Sequence, residues 1–193
     1  MSAEYESLRA EMHKWQDRRF DLLKHGTAVV TGLLGFKIIT GGASEPGLNA
    51  PEWPLISIVL LLYLATINLL TWYSGVANSK LAAYIKIFHE AEKSGIGQFK
   101  WESRLDKLKS RGLDSQSLNR WIAVTYLVLG IVSVGLPYAS AGLVMPSSLW
   151  VLYLVLSAIP YLVTLVLVAK FSYPREAYIK HWKKLREEES PDA

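Results

Sequence analysis

The residues able to do chemistry are few and scattered. Of the four histidines, His13, His25, His89 and His181, none belongs to a ligand motif such as H-E-x-x-H. His89 precedes Glu90, but neighbours on a helix point about 100° apart, so the two cannot chelate one ion unaided. There is no cysteine, which removes disulfides, thiolate metal sites and a Cys nucleophile. Gly95-Ile96-Gly97 lacks the third glycine and the preceding strand of a nucleotide fingerprint, and neither G-x-S-x-G nor a phosphate loop occurs. Glu90 and Glu102 have no catalytic partner in sight and read as local salt bridges or helix-end charges. The sequence therefore predicts no catalytic residue, no metal and no cofactor.

Polar groups inside apolar surroundings are the next chemical resource. Asn68 is the most expensive of them, because a buried amide must find a partner or water. With Thr71, and with Thr125 and Ser133 from another apolar run, it forms a candidate strip that faces either a lumen or a neighbouring helix. A second candidate is steric: Ala28, Thr31, Gly32 and Gly35 make two overlapping small-xxx-small pairs, a face that lets another helix approach its backbone, within one subunit or between two.

These residues need elements to carry them. The chain has 193 residues, 51% apolar and 20% charged, and the two kinds are segregated into blocks. Trp53 to Ser74 carries no charge and covers roughly 33 Å as a helix, the depth of a hydrocarbon core. Leu149 to Val168 is equally clean, with Pro160 predicting a kink. Trp121 to Tyr138 is a third block. The weakest, about Leu22 to Thr40, has Lys24 and His25 at one end and Lys37 near the other, where Lys37 can snorkel outward.

Lys and Arg number five before the first block, none over 41–52, nine over 80–120, none over 138–148 and six from Lys170 onward. That alternation predicts four crossings with both termini inside. The expected architecture is an all-α integral membrane four-helix bundle with cytoplasmic amphipathic helices. Its parts are an amphipathic helix at 1–21, spans at 22–40, 53–74, 121–138 and 149–170, outer loops at 41–52 and 139–148, a cytoplasmic helical segment at 75–120 and a C-terminal helix with acidic tail at 171–193. About twenty polar residues precede the first apolar run, which argues against a secretory signal. The net charge of +4 resides mostly beside apolar blocks, where it serves topology and anionic headgroups, so nucleic acid is not an expected partner.

The cytoplasmic segments carry apolar stripes. Tyr5, Leu8, Met12, Trp15 and Leu22 fall on a heptad seam that skips Arg19. Leu81, Tyr84, Ile85 and Phe88 form another stripe, Trp101, Leu105 and Leu108 a third, and Tyr178, Trp182 and Leu185 a fourth. Trp15, Trp101 and Trp182 are expected to pack these helices together, with a ligand cage or a lipid-surface lie as alternatives. Tyr84, Phe88, Glu90 and Glu102 join them as a candidate packing or partner surface.

Three segments, EYESLRAEM, KLAAYIKIFHE and FKWESRL, resemble a group of functionally uncharacterised bacterial four-span integral membrane proteins. The resemblance implies that architecture and a bacterial inner membrane, and no activity. In layout the chain is also similar to small pore-forming membrane effectors of bacterial immunity. The resulting expectation is a non-enzymatic, homo-oligomeric pore or permeability effector, assembled or gated by its cytoplasmic helices. The alternative is a membrane-anchored scaffold that presents those helices to a cytoplasmic protein or small ligand. A membrane enzyme or transporter ranks third.

Overall fold

A computed structural model describes residues 3–41, 52–89, 116–140, 148–169 and 173–189. The described residues are helical throughout, with no strand among them. In chain order they form α1 (Ala3–Gly41), α2 (Glu52–Tyr84) continued by a π-helical turn (Ile85–His89), α3 (Gln116–Ser140), α4 (Ser148–Ala169) and α5 (Tyr173–Glu189). Glu90, Trp101 and Glu102, with the third stripe and both outer loops apart from their edges, lie outside the described residues.

At two of the expected boundaries the helix is continuous. The amphipathic helix at 1–21 and the span at 22–40 are one uninterrupted helix, because no proline or glycine stops the chain before Gly26 and a lone helical glycine costs only about 1 kcal/mol. Likewise α2 runs on from the apolar run through residues 75–84. α4 continues through Pro160. Among the described residues, Pro54–His89 and Val151–Ala169 are long and apolar enough to cross a membrane, and Arg120–Leu136 is a shorter apolar helix.

The chain divides into two compact units. One draws on Met1–Arg19, Trp72–Asn119 and Lys170–Ala193, the other on Phe20–Thr71 and Arg120–Ala169. Of 21 Lys and Arg residues, Lys24, Lys37 and Arg120 alone fall in the second. The first is therefore the polar unit and the second the apolar unit.

In the polar unit Tyr5 and Met12 of α1 pack with Ala82 of α2 and Ile85 of the π turn, with Leu8 against them. The seam does not skip Arg19, which is buried. Positions 5, 12 and 19 repeat every seven residues and so stay in line, and a long arginine stem can line an apolar stripe while its head finds polar company. α5 packs on the π turn.

The apolar unit is built around Val30 and Leu34 of α1, Leu60, Leu64 and Ile67 of α2, Ile122, Tyr126 and Leu129 of α3, and Tyr161 and Val168 of α4. Its outward positions are mostly apolar as well. Phe36, Leu55, Val59, Val128, Ile131, Val155 and Ile159 are all exposed, more apolar surface than soluble monomers usually show.

Candidate functional site

Some of the buried polar residues of the apolar unit link three of its helices. Asn68 and Thr71 of α2 and Ser133 of α3 have no exposed surface, and Ser57, Ser157 and Thr164 are buried with them. Asn68 Nδ2 donates to Thr164 Oγ1 of α4 at 3.5 Å. The Thr71 hydroxyl lies 3.1 Å from the Tyr126 hydroxyl of α3, and the Tyr161 hydroxyl of α4 donates to the main-chain oxygen of Tyr126 at 2.6 Å. α2, α3 and α4 are thus linked by side-chain hydrogen bonds in an apolar setting, where leaving such groups unmade is costly.

The four residues of the expected strip part company here. Asn68 and Thr71 face other helices. Ser133 is buried but donates to Leu129 O of its own helix at 2.7 Å, and Thr125 donates to Trp121 O at 2.9 Å from a half-buried position. Back-bonding of this kind lets a hydroxyl sit in apolar surroundings without any partner helix. Only the Asn68 Oδ1 atom is left buried without a hydrogen bond among these groups. Tyr126 and Tyr161, which hold the network together, are missing from the expected strip. A tyrosine inside an apolar run reads as bulk, and its hydroxyl becomes informative only when its neighbours are known.

The small-residue face on α1 is not used inside the unit. Ala28, Thr31 and Gly32 are exposed, and nothing lies within 4 Å of a Cβ built on Gly32 or Gly35. Thr31 spends its hydroxyl on Thr27 O at 2.8 Å. Gly26 is different, since its Cβ would meet Tyr126 and Ile67 at ordinary contact distances.

In the polar unit the aromatic residues singled out from the sequence fall into two groups. Tyr84 stacks on Phe88 with centroids 4.7 Å apart and meets Trp182 of α5 edge-on at 5.3 Å. Phe88 also contacts Trp182, at 6.1 Å. His89 joins this group beside Tyr84 at 5.9 Å and Tyr5 at 5.8 Å. Glu4, in the first turn of α1, accepts from the Tyr84 hydroxyl at 3.3 Å and lies 3.8 Å from His89 Nε2. His89 Nε2 and Trp182 Nε1 are buried and have no hydrogen-bond partner. Trp15 belongs elsewhere, edge-on to Tyr73 at 5.9 Å.

The π turn is held from α5. Arg186 Nη1 donates to Ile87 O at 2.8 Å, a charge-assisted bond between α5 and the turn. π turns widen the helix and recur at functional positions. Lys80 reaches over the Tyr178 ring at 5.9 Å, a second tie between α2 and α5.

Among the described residues no three His, Asp or Glu side chains stand close enough to hold a metal ion. No family model, curated protein or solved structure matches the chain.

Proposed function

We propose that this chain is a non-enzymatic integral membrane protein of four spans, with both termini and residues 75–120 cytoplasmic in a bacterial inner membrane. Its bundle anchors a helical binding or scaffold module built on the aromatic cluster. The observation that carries this reading is the division of the chain. The three charge-rich segments gather into one unit, and the four apolar segments into another that buries Asn68, Thr71 and Thr164 and whose outward surface is mostly apolar. On this reading the segments of one unit share one side of a bilayer, with an even number of crossings between them.

The absence of cysteine makes the topology directly testable. Single cysteines at Ser44→Cys and Ser147→Cys are expected to react with a membrane-impermeant maleimide in intact cells. Ser79→Cys and Ser190→Cys are expected to react only after permeabilisation. Labelling of Ser79→Cys in intact cells would sink the four-span arrangement.

The module reading ranks ahead of a pore within one subunit because Asn68 and Thr71 spend their hydrogen bonds on neighbouring helices. It expects purified protein to leave liposomes tight to ions and dye. A second reading is favoured by the open face at Gly32 and Gly35: a homo-oligomer in which α1 meets α1 and any conducting path runs between subunits. Liposome leakage by a defined oligomer supports that second reading and removes the first.

A further inference from the structure

Among the described residues of the polar unit, Tyr73 is the one large aromatic or aliphatic side chain that stays exposed, at 57%. It closes the apolar run Trp53 to Ser74. Trp15 stands edge-on against it at 5.9 Å, and the Arg18 guanidinium lies 5.5 Å from the centre of the Trp15 ring. Arg18 is exposed, as is Lys14 four residues before it on the same helix. Glu11 accepts from the Trp15 indole at 3.4 Å, and no carboxylate among the described residues pairs with the guanidinium. An exposed cation is thus held over the half-buried Trp15, which packs on the exposed Tyr73 next to the end of a membrane-length apolar run.

We infer that Trp15, Arg18 and Tyr73 form a headgroup site for an anionic phospholipid, an assignment that rests on the membrane reading above. Tyrosine and tryptophan have an apolar body and one polar end, which favours the headgroup level. A guanidinium offers paired N–H donors that match two oxygens of a phosphodiester. Stacking on Trp15 orients that fork while leaving its outer edge open. Lys14 adds a second positive charge within the reach of an anionic surface.

The test is native mass spectrometry of the full chain released from nanodiscs of equal phosphatidylglycerol and phosphatidylcholine. The wild type is expected to retain phosphatidylglycerol preferentially, and Arg18→Gln to lower that preference about fivefold, the size expected of one basic residue at an anionic surface. Lys184→Gln, at a position engaged with Glu188 at 3.7 Å, is expected to change nothing, and excess inorganic phosphate is expected not to displace the lipid. An inserted protein whose lipid preference is the same in Arg18→Gln overturns the site and leaves the membrane reading standing. Displacement by inorganic phosphate also overturns it, because the ligand is then a free anion. Failure of the wild type to enter nanodiscs overturns both.

Discussion

Tyr161 of α4 gives its hydroxyl to the main-chain oxygen of Tyr126 on α3 at 2.6 Å, directly against Gly130. The two helices approach this closely because residue 130 has no side chain: a Cβ there would overlap the Tyr161 hydroxyl, and the ring carbon Cε1 would stand 2.8 Å away. The carbonyl of Tyr126 lies one turn before Gly130, so the glycine exposes the acceptor that the tyrosine reaches.

Gly130→Ala is expected to destabilise the protein by about 1–3 kcal/mol, the usual cost of forcing extra volume into a packed core. Tyr161→Phe removes one hydrogen bond and is expected to cost about 0.5–1.5 kcal/mol. The double variant regains little, since the ring itself still crowds the new methyl group. Thermal unfolding in detergent, followed by tryptophan emission, measures all three. An unperturbed Gly130→Ala would show that the contact is looser than described.

Asn68→Leu has a smaller expected effect. The amide makes one long hydrogen bond to Thr164, its oxygen makes none, and Thr164 keeps its own bonds to Pro160 O and Tyr161 O at 2.9 Å each. Interhelical side-chain bonds in membranes average about 0.6 kcal/mol, and an apolar replacement removes an unsatisfied acceptor. The change in unfolding free energy is expected to stay below about 1 kcal/mol, with no change in liposome permeability. A large rise or fall in leakage on this substitution would show that Asn68 faces a lumen.

Much of this arrangement could be read from the sequence, and the unreadable part has a common cause. The apolar blocks, the aromatic stripe at Tyr84 and Phe88 and the inward demand of Asn68 all follow from local composition and helical period. Arg19 is buried although its residue type points outward, because its place in the seven-residue repeat faces the seam and a long side chain satisfies both. The partners of Asn68, Thr71 and Tyr84 lie 55 to 96 residues away in the chain. Periodicity gives the face of each helix but not which residue of another helix it meets. The small-residue face shows the same limit in reverse: spacing identified it as a packing surface, and its emptiness could be learned only from the neighbours.

Arg186→Ala tests the tie between α5 and the π turn. It removes the donor to Ile87 O, a partly exposed charge-assisted bond for which about 1 kcal/mol is a fair scale after solvent screening. Amide hydrogen exchange over residues 85–89 and 173–189 is expected to rise about fivefold, with exchange in α3 and α4 unchanged. Arg186→Lys is expected to recover part of the protection, because an ammonium group can still donate to the carbonyl. Unchanged exchange in Arg186→Ala would mean that the aromatic contacts of Trp182 hold α5 without this bond.

Gly32→Leu separates the fold of one subunit from any assembly of several. No atom lies within 4 Å of the added Cβ, and leucine is a better helix former than glycine by up to about 1 kcal/mol. Unfolding of the isolated subunit is therefore expected to be unchanged or slightly harder. If α1 meets α1 of a second copy, the same substitution keeps the two backbones apart, because close approach depends on small residues at Ala28, Gly32 and Gly35. Light scattering in mild detergent is then expected to report a shift from oligomer to monomer in Gly32→Leu, with a conservative Gly32→Ala between the two. A wild type that is already monomeric under these conditions removes the oligomeric pore and leaves the anchored module as the reading of this chain.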